Sequence, residues 1–336
     1  MNARLMQLML GTAMSAAMLF LLSRIIDTRA VVSAIELADP RLIIVAIGIY
    51  FLAMCIRSVV WRRLLPAADS TLTLLRITVI GFAVNYLMPL RVGEFARAYL
   101  AVRWCRIDYG TTFASLVAER VLDGLAVGLI LMAALLLIPV PGYVLVLGLA
   151  VAVVFTTLAT ALIVASWRPD GLISATSWIT SRLPVGIRSR VMRLATNFTR
   201  GLAPLQDWRG LPPLAALAIL GWLLQFSVFY LLMLAFPMAG SLPAALVDGG
   251  VANFATLLPS APGYVGTFDA ALIKLLMDLQ GVPVEFATAY ALVVHAVLVV
   301  PIVVLAVVIL WRSDLTLAHV LGRTIPLKRG LSGVDG

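Results

Sequence analysis

Six charged residues fall in stretches that are otherwise strongly apolar. Arg91, Glu94 and Arg97 lie in one interrupted stretch, and Glu119, Arg120 and Asp123 lie a few turns into the next. Arginine presents a planar fork of donors that fits phosphate. Neighbouring carboxylates can hold those arginines in place, bind a cationic headgroup or carry a proton. A charge at membrane depth costs at least about 2.5–3.5 kcal/mol on insertion scales, so the cluster must face the protein interior and find partners there. Glu119 and Asp123 are four residues apart and share a helix face, while Arg120 points about 100° away from Glu119. Two compatible readings follow. The charges form an ion-pair network that pins residues 91–97 to the helix carrying 119–123, and they form a site for a phosphate-bearing headgroup.

A second, weaker constellation follows later in the chain: Asn253, Pro259, Pro262, Gly263, Gly266 and Asp269, with His295 further on. A lone histidine in an apolar span is more often a packed or hydrogen-bonded residue than a ligand. With two cysteines far apart and two histidines in the whole chain, the sequence offers no metal cluster and no nucleophile–histidine pair. No cofactor is expected. There is no GxxxxGK[ST] phosphate loop, which argues against direct use of ATP.

The elements that must carry these residues are membrane helices. The chain has 336 residues, 62% of them hydrophobic, and a mean hydropathy of +1.06, whereas a soluble domain is about half apolar. In lipid the backbone must satisfy its own hydrogen bonds, which forces helices. Six full spans are expected, at about 5–26, 41–63, 111–138, 143–167, 211–236 and 284–311. The first is read as an uncleaved span rather than a signal peptide. The net charge of +9 reflects the positive-inside bias rather than nucleic-acid binding. With both termini cytoplasmic, only Arg24, Arg29, Arg41 and Lys274 fall outside; the other Lys and Arg residues, save Arg120 within the third span, fall on the cytoplasmic side. Arg57 is counted among these cytoplasmic charges. Trp61, Trp104, Trp167, Trp208 and Trp311 fall near span ends and read as an interfacial belt with no binding role. Residues 170–209 read as a cytoplasmic amphipathic connection, with Ile187, Val191, Leu194, Phe198 and Leu202 at helical spacing, and 323–336 as a disordered tail.

Two stretches, 69–106 and 242–280, are apolar but broken in the middle by Pro, Gly, Asn and charge. Each half is too short to cross about 30 Å of hydrocarbon, so each stretch is expected to form a re-entrant helical hairpin. Asn85 matches Asn253, Pro89 matches Pro259, Glu94 matches Asp269, and Arg120 matches His295. With the first hairpin entering from the cytoplasm and the second from outside, units of about 41–138 and 211–312 form an inverted repeat, the architecture of many secondary transporters. The expected fold is thus a single all-α polytopic membrane domain over 1–336, of six full spans plus two broken re-entrant hairpins, with a polar cavity where the hairpins break.

The run Asn85-x-x-x-Pro89-x-x-x-Gly93-Glu94-x-x-Arg97, followed by Glu119-Arg120-x-x-Asp123, resembles the flippase-like family, the transmembrane regions of lysylphosphatidylglycerol synthases, including the multiple peptide resistance factors. Leu258-Pro259…Pro262-Gly263-x-x-Gly266-x-x-Asp269 resembles that family's second signature, which usually ends in Glu and is often followed by Arg in the final helix. Asp269 and His295 depart from it conservatively. The resemblance covers about residues 5–312 and implies a lipid-translocase-like fold of the inner membrane. Aminoacyl-transferring members carry a further soluble catalytic domain; this chain ends soon after its last span, so synthase activity is not expected.

The resulting expectation is translocation, flippase-like or scramblase-like, of an anionic phospholipid or lipid-linked headgroup, with Arg91, Arg97 and Arg120 receiving phosphate. Two alternatives stand beside it. One is an intramembrane lipid-modifying enzyme using Glu119 and Asp123 as acid and base. The other is a non-transporting lipid-binding partner of a membrane enzyme. Membrane lipids are the expected partners, with a homo-oligomer or a membrane enzyme as further candidates.

Overall fold

A computed structural model describes residues 28–65, 68, 70–88, 91–257 and 262–313. The first expected span, Pro89, Pro259 and the 323–336 tail lie outside the described residues. The described chain is all helical: α1 (Thr28–Glu36), α2 (Pro40–Leu64), α3 (Thr71–Leu87), α4 (Gly93–Cys105), α5 (Tyr109–Leu135), α6 (Gly142–Trp167), α7 (Pro169–Ile179), α8 (Val185–Gly201), α9 (Leu211–Ala235), α10 (Leu242–Ala255), α11 (Thr267–Gln280) and α12 (Val284–Trp311). Helices α2, α6, α9 and α12 are long and apolar enough to cross a membrane. Helix α5 has 27 residues, about 40 Å at 1.5 Å per residue, but carries the Glu119–Asp123 charges.

Both broken stretches fold as helical hairpins. Helices α3, α4, α10 and α11 have 17, 13, 14 and 14 residues, or about 20–26 Å each, short of the ~30 Å hydrocarbon core. Local chemistry sets their ends. The Ser70 hydroxyl accepts from the Thr73 N–H at 3.3 Å, and Ser241 accepts from Ala244 at 3.3 Å, each satisfying a helix-start donor. In the first hairpin Asn85 Oδ1 accepts from the Gly93 N–H at 2.7 Å, so the end of α3 caps the start of α4. A Cβ at Gly93 would overlap the Gly81 carbonyl and the Asn85 side chain, and one at Gly81 would overlap the Arg97 stem. The two helices therefore pack backbone to backbone. In the second hairpin the turn runs through Gly263 at φ +77° and Gly266 at φ +91°, a left-handed region that side chains disfavour.

Helices α2 and α9 form the longest seam, closed where Gly221 meets Ile56. The Asp39 N–H donates to the Ala235 carbonyl at 2.9 Å, tying the start of α2 to the end of α9. Helix α1, between the first two expected spans, packs on α12. Helix α8 covers the expected amphipathic segment. Its C-terminal half docks on the first turns of α5, where Thr111 Oγ1 donates to the Asn197 carbonyl at 3.2 Å and Gly201 abuts Thr111 and Ala114. Val185 and Ile187, at its other end, stay exposed.

Candidate functional site

The hairpin turns meet inside the bundle. Arg91, just before α4, donates to Thr256 Oγ1 just after α10, and the Tyr86 and Tyr264 rings touch edge to face with centroids 6.1 Å apart. Around this junction lies a cavity of about 320 Å³, walled by α2, α3, α4, α5, α6, α9, α10, α11, α12 and both turns. Phenyl rings of Phe82, Phe155, Phe226, Phe229, Phe254 and Phe268 line it beside polar groups. Of the residues singled out from sequence, Asn85, Arg91, Glu94, Arg120, Asp123, Asn253, Gly263 and His295 line the cavity. Arg97 and Glu119 lie behind its wall, and Gly266 and Asp269 support it from the second turn.

The charges behind and along the wall form one alternating chain. Glu119 Oε2 takes Arg97 Nη2 at 2.6 Å, and Arg97 Nη1 reaches Glu94 at 3.3 Å. Glu94 also pairs with Arg120, which reaches Asp123 at 3.3 Å. Asp123 in turn takes Arg57 Nη1 at 2.6 Å. Three arginines alternate with three carboxylates, so the chain is neutral as a whole. Aromatic rings complete it. Arg97 stacks 4.1 Å from the Trp61 ring centre, and Arg57 lies 4.6 Å from that of Trp222. The Trp222 indole N–H donates to Asp123 Oδ1 at 2.8 Å, and Arg57 also reaches Gln225 Oε1 at 3.4 Å. Breaking a buried pair by removing one partner costs about 3–5 kcal/mol, so this chain locks α2, α4, α5 and α9 together.

Two assignments made from sequence are corrected here. Arg57, counted from sequence as a positive-inside charge, is a core residue whose side chain is 6% exposed and held by Asp123. Trp61 is not part of an interfacial belt; it is fully buried, stacks on Arg97 and donates to Ser115 Oγ at 3.1 Å. Trp167, Trp208 and Trp311 are exposed, as a belt requires. The sequence reading also passed over Trp222, Gln225, Tyr86, Tyr264 and Thr256. Tryptophan and glutamine in mid-span of α9 were the available signal, since a span facing only lipid has no use for either donor.

Arg91 differs from Arg57, Arg97 and Arg120. It has no carboxylate within ion-pair distance among the described residues. Its Nε is buried without a partner, and its guanidinium lies 5.8 Å from the Tyr264 ring centre. Its backbone sits at φ 51°, a left-handed conformation costing a non-glycine residue roughly 1–2 kcal/mol. Strain of this kind persists where the surroundings hold the residue in place. In the second half, His295 Nδ1 lies 2.7 Å from Asp269 Oδ1, and Asp269 Oδ2 accepts the Gly266 N–H at 3.0 Å.

The chain is 24% identical over 275 residues to a UPF0104 membrane protein of Methanothermobacter thermautotrophicus, covering 78% of this chain and 80% of that protein. It is 31% identical over 120 residues to Glycosyltransferase AglD of Haloferax volcanii, covering 35% of this chain but only 19% of that enzyme. The family model for the lysylphosphatidylglycerol synthase TM region matches residues 8–332, nearly the whole length, and the protein belongs to that family.

Proposed function

We propose that this membrane protein moves an anionic phospholipid, or a lipid-linked phosphate headgroup, between leaflets, with the headgroup passing through the cavity at the hairpin junction. The observation that carries this reading is Arg91. Every other arginine on the cavity wall is neutralised by a carboxylate, so Arg91 leaves the cavity one positive charge in excess and offers an unpartnered buried donor. An anion is the ligand that satisfies both. The volume of about 320 Å³ equals roughly ten waters at ~30 Å³ each. In this reading the headgroup occupies the cavity and the acyl chains stay in lipid.

The topology supports the same reading. If α2, α5, α6, α9 and α12 all cross, the hairpins enter from opposite faces as an inverted repeat, and short helix ends meet at the midplane as in many transporters. In this reading the protein resides in the cytoplasmic membrane with both termini inside. Acid–base chemistry by Glu119 and Asp123 fits less well. Glu119 lies against Arg97 behind the wall, and both oxygens of Asp123 are already engaged.

The test is reconstitution in liposomes with headgroup-labelled phosphatidylglycerol, cardiolipin, an aminoacylated lipid, a polyprenyl phosphate and a zwitterionic control. Wild type should move at least one anionic lipid, and Arg91→Ala should lower that headgroup's affinity about 10–100-fold, the worth of a hydrogen bond to a charged group. No movement of any lipid by folded protein under gradients of either sign would end the translocation reading. A covalent change in the lipid would replace it with an enzyme.

A further inference from the structure

Asp248 lies midway along α10 and takes no part in the cavity. It is fully buried, and among the described residues no Lys, Arg or His lies within ion-pair distance of it. Its single hydrogen bond is from Gln280 Nε2, at the end of α11, to Oδ2 at 3.1 Å. The other oxygen of each group, Asp248 Oδ1 and Gln280 Oε1, is buried and has no partner. Two unpartnered acceptors on adjoining planar groups have a simple common remedy. A proton on Oδ1 supplies a donor beside the amide oxygen. The acid and the amide then form a two-bond ring in which no buried oxygen is left unsatisfied. A bare carboxylate here would be an uncompensated charge in an apolar interior.

Among the described residues the surroundings offer no competing counter-charge. Helix α12 contributes Tyr290, whose hydroxyl donates to the Phe229 carbonyl at 2.8 Å. Helix α6 contributes Tyr143, engaged by Asp278 at 2.9 Å, and α11 contributes Gln280 with the exposed Lys274–Asp278 pair beyond it. Helices α9 and α5 meet α10 through Phe226 at Gly249 and Leu131 at Gly250.

We propose that Asp248 and Gln280 form a proton-binding site, loaded as an acid–amide pair and unloaded during headgroup movement, so that lipid movement is coupled to protons. This deepens the translocation reading and rests on it. The link is α10 itself. Gly249, Asn253 and Thr256 follow at i, i+4 and i+7 and present one face to the cavity, with Thr256 holding Arg91. Asp248 presents the next face to α11. On unloading, the Asp248 O–H bond breaks, its electron pair stays on Oδ1, and the proton passes to water at Gln280, which is partly exposed at the hairpin's open end. The anion left behind favours a wetter contact between α10 and α11, and α10 carries Asn253 and Thr256 with it.

The full chain in liposomes tests this in two arms. Infrared difference spectra of wild type against Asp248→Asn should show a protonated carboxylic-acid carbonyl band in wild type only, shifted in Gln280→Leu. A spectrum with carboxylate bands alone overturns the proton site. In the second arm, labelled phosphatidylglycerol movement should change several-fold when a pH gradient is imposed, and Asp248→Asn should abolish that change while melting like wild type. If Asp248→Asn does not fold, Gln280→Leu carries the same readout. Wild-type movement indifferent to the gradient overturns the coupling and leaves translocation standing. Absence of any lipid movement by wild type overturns translocation and the coupling with it, while the infrared arm still decides the proton site.

Discussion

In the first hairpin Glu94 is held by Arg120, 26 residues further on; in the second Asp269 is held by His295, again 26 residues on. The spacing is the same and the chemistry is not. Arginine is permanently charged, and the first pair is one link in a chain of six charges running from α4 to α2. Histidine offers Asp269 a single ring nitrogen, and among the described residues that pair is flanked by the Gly266 N–H and the Phe268 ring. The first half is therefore a fixed electrostatic frame. The second half has no such frame, and its solitary buried aspartate, Asp248, is where we place the proton site.

Four comparisons would break or sharpen this contrast. The largest effect belongs to the frame. Glu119→Leu strands the Arg97 guanidinium and should cost about 3–5 kcal/mol, read as a clear fall in melting temperature in detergent. The double variant with Arg97→Leu should recover most of it, and an unchanged melt in the single variant would show that the pair holds nothing. Next is backbone contact. Gly93→Ala forces a Cβ into the Gly81 carbonyl and should cost about 1–3 kcal/mol. In the second hairpin the nearest atom to a Cβ at Gly250 is a Leu131 side-chain carbon at 3.3 Å, so Gly250→Ala should melt closer to wild type. Equal shifts would mean that the hairpins are packed alike.

Smaller still is His295→Gln, which keeps a donor near Asp269 and should cost about 0.5–1.5 kcal/mol, less than Arg120→Gln at the matching position. If the order were reversed, the fixed frame would lie in the second half. Arg91→Ala should cost least in stability, a net of about 1 kcal/mol or less, because loss of its bond to Thr256 is offset by removal of a buried charge with no carboxylate partner, while lowering headgroup affinity. A large loss of stability there would make Arg91 another structural arginine.

Much of this was legible in the residues. The two broken stretches read as hairpins because Pro, Gly and Asn interrupt apolar runs too short to span, and their helices fall within 69–106 and 242–280 as expected. The pairing of Arg97 and Arg120 with acids followed from the cost of a lone charge in lipid. Arg57 was not legible as a core residue. An arginine in the last turns of an apolar helix looks like any positive-inside anchor, and its partner Asp123 lies 66 residues away. Trp61 was misplaced for the same reason, since nearness to a helix end says nothing about which face packs inward. Asp248 was not legible either: it sits in an apolar run beside Gly249 and Gly250, and its partner Gln280 lies 32 residues away.

The alternating charge chain constrains how this sequence can vary over time. Each of its six members neutralises a neighbour, so a change that deletes one charge leaves another stranded, and the stranded charge is what selection sees. Exchanging both members of a terminal pair for packed apolar residues leaves no such remainder. Drift along Glu119–Arg97–Glu94–Arg120–Asp123–Arg57 should therefore proceed in couples, with solitary replacements purged. Arg91, outside the chain, is under no such constraint.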